Sequence, residues 1–319
     1  MNQIVKVFES IPLFVQYLIL PLVLMGFILL VRFRYKLIWL TTVLLTGLYL
    51  LLMHFSAVWE MSVGHYTRYL IEILFLIVCI LSYRKIKDKP LLTKPKIPGY
   101  IVCAIQLAII IFMLVLNTNN IRAFFIQEEA IHLQFPFRNG TYLMNDAGDG
   151  AISRLVNYHY QDGRNIQLGY YKAERYANDI VKLDAYGFEG ANFGNEKTLE
   201  DYYIYGETVY SPCDGEIFLV QDGRDDIFPG SQIRDTGNGV VIKVDDVFVM
   251  LWHLKKDSII VKTGDKVKAG DPIAQAGNSG ITHAPHLHIH AAKRHFLYGE
   301  GVPVTYDSKT PIKNRIIRK

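Results

Sequence analysis

The chain has 319 residues, room for about two domains. Half of them are hydrophobic, and a net charge of +4, unevenly placed, gives no support for a nucleic-acid partner. Its three cysteines, Cys79, Cys103 and Cys213, make neither a disulfide framework nor the paired pattern of a structural zinc site.

The apolar excess lies in the first 117 residues. Pro12 to Val31 runs twenty residues without a charge, the length that crosses a hydrocarbon core of ~30 Å. No small-residue cleavage site ends this run and more apolar runs follow, so it reads as a retained span. Leu37 to Met53, Tyr69 to Tyr83 and Tyr100 to Leu116 are the others. They predict a transmembrane region over 1–117 with four helices, about 12–31, 37–54, 66–83 and 99–117. Arg32, Arg34 and Lys36 follow the first run, and Arg84, Lys85, Lys87, Lys89, Lys94 and Lys96 lie between the third and fourth. The positive-inside rule makes both clusters cytoplasmic. The lipid bilayer is then a partner, and both termini are extracytoplasmic. Glu72 reads as a helix-end carboxylate reaching the interface, toward Arg68. His54, Trp59 and His65 read as interface residues of an outer loop.

A linker is expected over 118–134, and residues 135–319 change in texture. Asn139-Gly140, Asp162-Gly163, Asp214-Gly215 and Gly237-Asn238-Gly239 are turn signals. Gly239 to Trp252 alternates as two strands around Asp245-Asp246. With no long amphipathic helix, the second domain should be mainly antiparallel β. Gly206 to Ile217 and Gly264 to Ala274 share one cadence, like the hammerhead strands of lipoyl-type barrels. A carrier domain would need a lysine at the hairpin tip, and neither segment supplies one convincingly.

The segment Gly277 to His290 reads Gly-Asn-Ser-Gly-Ile-Thr-His-Ala-Pro-His-Leu-His-Ile-His. Six of the ten histidines fall between His253 and His295. On a strand, residues two apart share a face and stand roughly 7 Å apart. His286 and His288 could therefore share one substrate-sized space, and neutral imidazole is the commonest metal ligand.

Four pieces make this half resemble the lysostaphin/LytM-type peptidoglycan zinc metallopeptidases. They are Tyr176-Ala-Asn-Asp179-Ile-Val, Gly206 to Gly215, Leu251-Trp-His253-Leu, and Gly277 through Pro285-His286-Leu-His288. The resemblance covers about Tyr170 to Lys293 and implies a lysostaphin-like peptidase fold of the barrel-sandwich-hybrid type. It implies a Zn2+ cofactor held by Asp179 and His288. It makes His253 and His286 the catalytic pair, one taking a proton from water and one steadying an oxyanion. The substrate it implies is an amide of peptidoglycan peptides, outside the cytoplasmic membrane of a bacterium.

One position departs from the family. Its first motif is His-x-x-x-Asp, and four residues before Asp179 stands Arg175, which has no lone pair for a metal. His159 is the best substitute, carried back to Asp179 by a turn through Gln161 to Leu168. Arg175 itself suits a structural ion pair or a substrate carboxylate. The competing reading is a metal-free relative that binds wall peptides, or a membrane or cell-wall protein partner, as a scaffold. His290 reads as a flanking residue of the same face and His283 as a cleft-lining one. The long segment Asp184 to Tyr205 is a candidate for substrate selection, and the basic tail Lys313 to Lys319 reads as a solvated terminus.

Overall fold

A computed structural model of the chain describes residues 11–93, 97–160, 170–228 and 237–319. They fall into two units, Met1–Asn119 and Asn120–Lys319. The expected turn through Gln161 to Leu168 lies outside the described residues.

In the first unit a π-helical turn, Val15–Ile19, runs into α1, Leu20–Leu30. Pro21 sits in the first turn of α1, where its missing N–H costs little. α2 spans Lys36–Ser56, α3 Thr67–Ile86 and α4 Ile97–Arg122. Among the described residues two helices, Lys36–Ser56 and Gly99–Arg122, are long and apolar enough to cross a bilayer, and Val15–Leu30 is apolar but shorter. α3 falls outside that set because Arg68, Glu72, Arg84 and Lys85 interrupt it. All four expected apolar runs are helical, but two of them meet the length and composition of a span. Polar side chains tie α2 to α4. Thr41 Oγ1 donates to Gln106 Oε1 at 2.7 Å, and Asn117 Nδ2 donates to the Leu48 carbonyl at 3.1 Å.

The outer-loop residues differ from expectation. Trp59 and His65 are buried rather than interfacial. Trp59 packs with Tyr17, Met25, Ile28 and Ile71 in the core of this unit, and its indole N–H donates to Met53 O at 3.0 Å. Glu72 meets His54 Nδ1 at 2.7 Å, while Arg68 donates to the His54 carbonyl.

The second unit is a β domain. Its strands are β1 Ile131–Leu133, β2 Thr141–Asp146, β3 Asn178–Leu183, β4 Thr208–Tyr210, β5 Gly215–Gln221, β6 Asn238–Val244 and β7 Val247–Leu254. They continue with β8 Lys266–Val267, β9 Pro272–Gln275, β10 Leu287–Lys293, β11 Glu300–Val302, β12 Val304–Tyr306 and β13 Ile316–Arg318. One antiparallel sheet runs β13-β2-β3-β10-β7-β6-β5-β8, with β11 also on β10. β4 and β9 pair antiparallel, so the two segments of shared cadence pair with each other. β1 and β12 are parallel.

Alternation sorts the sheet into two faces. Val247, Val249 and Leu251 of β7 and Leu287, Ile289 and Ala291 of β10 enter the main core. Phe248, Met250 and Trp252 form a second cluster with Val241 and Ala292. The stretch expected as a linker holds the end of α4 and β1. The basic tail is an edge strand rather than a solvated terminus, with Lys313 buried and its Nζ 2.8 Å from Asp146 Oδ1.

Candidate functional site

Pairing between strands sets the first contact. β3 and β10 are antiparallel with Asp179 opposite His288, and His288 Nδ1 lies 3.0 Å from Asp179 Oδ1. His159 approaches the other carboxylate oxygen, with Nε2 at 3.3 Å from Asp179 Oδ2. The three donor atoms lie within 4.8 Å of one another, and all three residues are buried there.

His159 is held by Asn157. The Asn157 side-chain amide donates to the carbonyls of Gly148, Arg175 and Ala177 at 2.9, 3.1 and 3.1 Å. Its Oδ1 accepts from the His159 backbone N–H at 3.2 Å and lies 3.0 Å from His159 Nδ1. A proton on Nδ1 directed at Asn157 turns Nε2 toward Asp179. Burial alone would pull His159 down, but the Asp179 carboxylate outweighs it and lifts the imidazole to about 9. Burial opposes ionisation of Asp179 in turn, and His159 and His286 still hold that carboxyl well below its ordinary range.

His253 reaches the site through an irregularity. Leu254 of β7 pairs with Asn238 and Trp252 with Gly239, so His253 is the extra residue of a β-bulge, in the left-handed region at φ 64°. Bulges re-aim side chains in this way. The His253 ring centroid lies 4.7 Å from that of His286 and 5.8 Å from that of His288.

The Gly277-Asn-Ser-Gly280 turn holds that orientation. His253 Nδ1 lies 2.8 Å from Ser279 O. Ser279 Oγ donates to Leu254 O at 2.7 Å and accepts from Asn238 N at 2.8 Å. Asn278 is fixed by Asp226, Ile227 and Thr282. His286 is oriented alike, with Nδ1 2.8 Å from Ala284 O. A carbonyl only accepts, so both histidines carry their proton on Nδ1 and turn a lone pair outward at Nε2. His286 Nε2 is buried without a hydrogen-bond partner, 3.6 Å from Asp179 Oδ1. Burial holds His253 well below the usual imidazole range, helped by His286 and His288. Burial likewise takes His288 to about 4.

Two imidazoles, one carboxylate and an adjacent orphaned nitrogen fit zinc. This is the donor class of catalytic zinc sites, which leave a coordination position open.

Residues 201–304 match peptidase family M23. The chain carries an M23 peptidase domain. Glycyl-glycine endopeptidase ALE-1 of Staphylococcus capitis is 32% identical over 100 residues, 31% of this chain and 25% of that protein. Peptidoglycan DD-endopeptidase ShyB of Vibrio cholerae is 35% identical over 89 residues, 28% of this chain and 18% of that protein. The chain thus spans a quarter or less of the length of these relatives. A crystal structure of a zinc-containing peptidase from Vibrio cholerae aligns with TM-score 0.32 and 21% identity, over 55% of this chain and 39% of that one.

His253, His286 and His288 lie inside the stretch matched to M23, whereas His159 and Asp179 lie upstream of it. Arg175 does not enter the M23 site. Its guanidinium forks onto Asp149, with Nε 2.9 Å from Oδ1 and Nη2 2.6 Å from Oδ2, and Nη2 also reaches Glu128 Oε1 at 3.1 Å. His283 is exposed on the turn before β10. Within 184–205, a short 3-10 turn, Leu199–Asp201, carries a capping box from Thr198, and Tyr186 and Phe193 are exposed. The sequence offers Asn157 only as the neighbour of His159, because its role depends on the carbonyls of Gly148, Arg175 and Ala177. Sequence reasoning missed Glu174, which sits with His288 and His290 in a second tight group and is pushed up to about 7 by burial. Glu174 gave no signal, because the chain changes from a 3-10 turn to a strand between it and Asp179.

Proposed function

We propose that the chain is a membrane-anchored zinc metalloendopeptidase that hydrolyses amide bonds of peptidoglycan peptides. The observation that carries this reading is the buried His159–Asp179–His288 trio beside the unpartnered His286 Nε2. The M23 match supports hydrolysis, and the two curated relatives act, by their names, on glycyl-glycine and peptidoglycan bonds. The metal-free reading starts from Arg175, and the approach of His159 to Asp179 supports the zinc reading instead.

His159, Asp179 and His288 would hold the metal. A bound zinc supplies Lewis acidity, polarising a carbonyl and lowering the pKa of a water toward neutrality. His286 and His253 both turn an unprotonated Nε2 outward, as a proton acceptor must. One would take the proton of the attacking water and pass it to the leaving amine. The other, once protonated, would donate to the developing oxyanion.

The helices supply the anchor in this reading. Gly99–Arg122 is exposed along much of its apolar length, at Ile101, Ile105, Leu107, Phe112 and Val115, as a lipid-facing helix must be. In this reading four crossings with the basic clusters inside would leave the peptidase domain on the extracytoplasmic face, where peptidoglycan lies.

The test uses the full chain in detergent, with zinc content and new amino termini released from purified peptidoglycan both measured. About one zinc per chain and release of amines are expected. His286→Ala should keep the zinc and lose about 10²–10⁴-fold in rate. A chain that takes up no zinc at micromolar supply would sink the enzyme reading.

A further inference from the structure

His288 has two ring nitrogens, and only one faces Asp179. The other, Nε2, lies 2.9 Å from His290 Nδ1. His290 is as deeply buried as His288. Its location follows from the sheet. On one edge, β10 pairs with β3 through Leu287, His288 and Ile289, and with β11 through Ala291, Ala292 and Lys293. His290 sits at the changeover between the two neighbours, on the same face as His288. The 3-10 turn Tyr170–Tyr176 closes over this place. Gly301 of β11 comes so close that a Cβ there would stand 2.8 Å from Lys172 O and 2.9 Å from Ala173 O. That turn brings the Glu174 carboxylate within 4.8 Å of the donor nitrogens of His288 and His290.

We propose that His290 is a positioning residue for the metal ligand His288, with Glu174 completing a carboxylate–imidazole–imidazole relay. The proposal rests on the zinc-site reading above. A lone pair on His288 Nδ1, needed for metal binding, requires the proton on Nε2. That N–H then donates to His290 Nδ1, which fixes both the tautomer and the tilt of the ring. The remaining proton of His290 lies on its own Nε2, and the Glu174 carboxylate stands within 4.8 Å of a ring nitrogen of His290. Ligand histidines ordinarily donate directly to a carboxylate or a carbonyl. Here a second imidazole is interposed because His290 occupies the one stretch of β10 edge that neither β3 nor β11 covers.

The same three residues could instead hold a second ion, with His288 bridging. The 2.9 Å separation is that of a hydrogen bond, which assigns these residues to a relay rather than to a second ion.

The experiment compares the full chain with His290→Phe, His290→Gln and Glu174→Gln, all in detergent. Zinc affinity is read by chelator competition, and the site is read independently from the visible spectrum after cobalt substitution. His290→Phe keeps the bulk but removes the acceptor, and should weaken zinc binding about 10–100-fold and shift the cobalt bands. His290→Gln, which can still accept through Oε1, should restore most of the affinity and the parent spectrum. Glu174→Gln should fall between. Circular dichroism of the metal-free variants separates misfolding from loss of orientation. Parent-like affinity and spectrum in a folded His290→Phe would overturn the relay and leave the peptidase reading intact. Two zinc ions per parent chain, one of them lost in His290→Phe, would replace the relay by a second metal. A parent that binds no zinc would sink both.

Discussion

His159 Nε2 stands 3.3 Å from Asp179 Oδ2, while His288 Nδ1 lies 3.0 Å from the other carboxylate oxygen. In the proposed zinc site the His159 contact would supply the donor that Arg175 cannot, from a different part of the chain. Replacing His159 by Ala should therefore remove a ligand outright, weakening zinc by more than the roughly 10–100-fold expected of a supporting residue. Asn157→Ala should fall within that range, because it only orients the ring. Metal analysis after dialysis checks both, and a His159→Ala chain that retained its zinc would show that the third donor lies elsewhere.

Protonation gives a second expectation. In the metal-free protein Asp179 raises His159 to about 9, above the unfolded value near 6.5. The stabilisation from this pair is complete below about 6.5 and is lost as pH rises through about 9. His288 behaves oppositely. Burial lowers it to about 4, so its contribution is present above about 6.5 and lost as pH falls toward 4. The metal-free protein should melt lower at pH 9.5 than at pH 7, and His159→Gln should lack that drop. Zinc must displace the His159 proton, so its affinity should climb between pH 7 and 9. An affinity independent of pH over that interval would contradict the pairing.

How far these features can be read without coordinates depends on whether they are local. The stretch carrying His286, His288 and His290 announces itself by alternation, and its turn by Gly277, Asn278, Ser279 and Gly280. The apolar runs announce the helices. The bulge at His253 does not, because nothing in Trp252-His253-Leu254 marks a left-handed residue in a strand. Arg175 with Asp149, Asn157 with Ala177 and Glu174 with His290 join positions whose proximity is created by the sheet. Trp59 and His65 were misread as interfacial because the outer loop folds inward onto Tyr17 and Met25, which hydropathy alone does not show.

The packing under the bulge can be tested at Gly239. A Cβ on Gly239 would stand 1.9 Å from Trp252 Cε3, so the indole must move. Trp252 precedes His253 and lies opposite His288. Gly239→Ala should cost about 1–3 kcal/mol of stability, the usual penalty of overpacking, and should slow hydrolysis by disturbing His253. Combining it with Trp252→Leu should recover part of the stability. A Gly239→Ala protein with parent stability would mean that the strand pair can open without cost.

Arg175 provides the sharpest contrast between a ligand position and a structural one. Its guanidinium grips Asp149 with two hydrogen bonds, and Asp149 is buried while its backbone N–H donates to Ala123 O at 2.8 Å. Removing the arginine takes the charged partner from a buried carboxylate that keeps its bond from the Ala151 N–H, a loss of about 1–3 kcal/mol. The arginine carbonyl, in contrast, is part of the cradle that holds Asn157, and a side-chain substitution leaves it in place. Arg175→Ala should therefore lower the melting temperature yet retain zinc and most of the activity at temperatures where it is folded. Arg175→His would place a possible metal donor at the family position, but it must also break the fork onto Asp149. It should bind no more zinc than the parent while His159 is present. If Arg175→Ala instead lost zinc while remaining folded, the arginine would belong to the metal site after all, and His159 would not suffice as the replacement ligand.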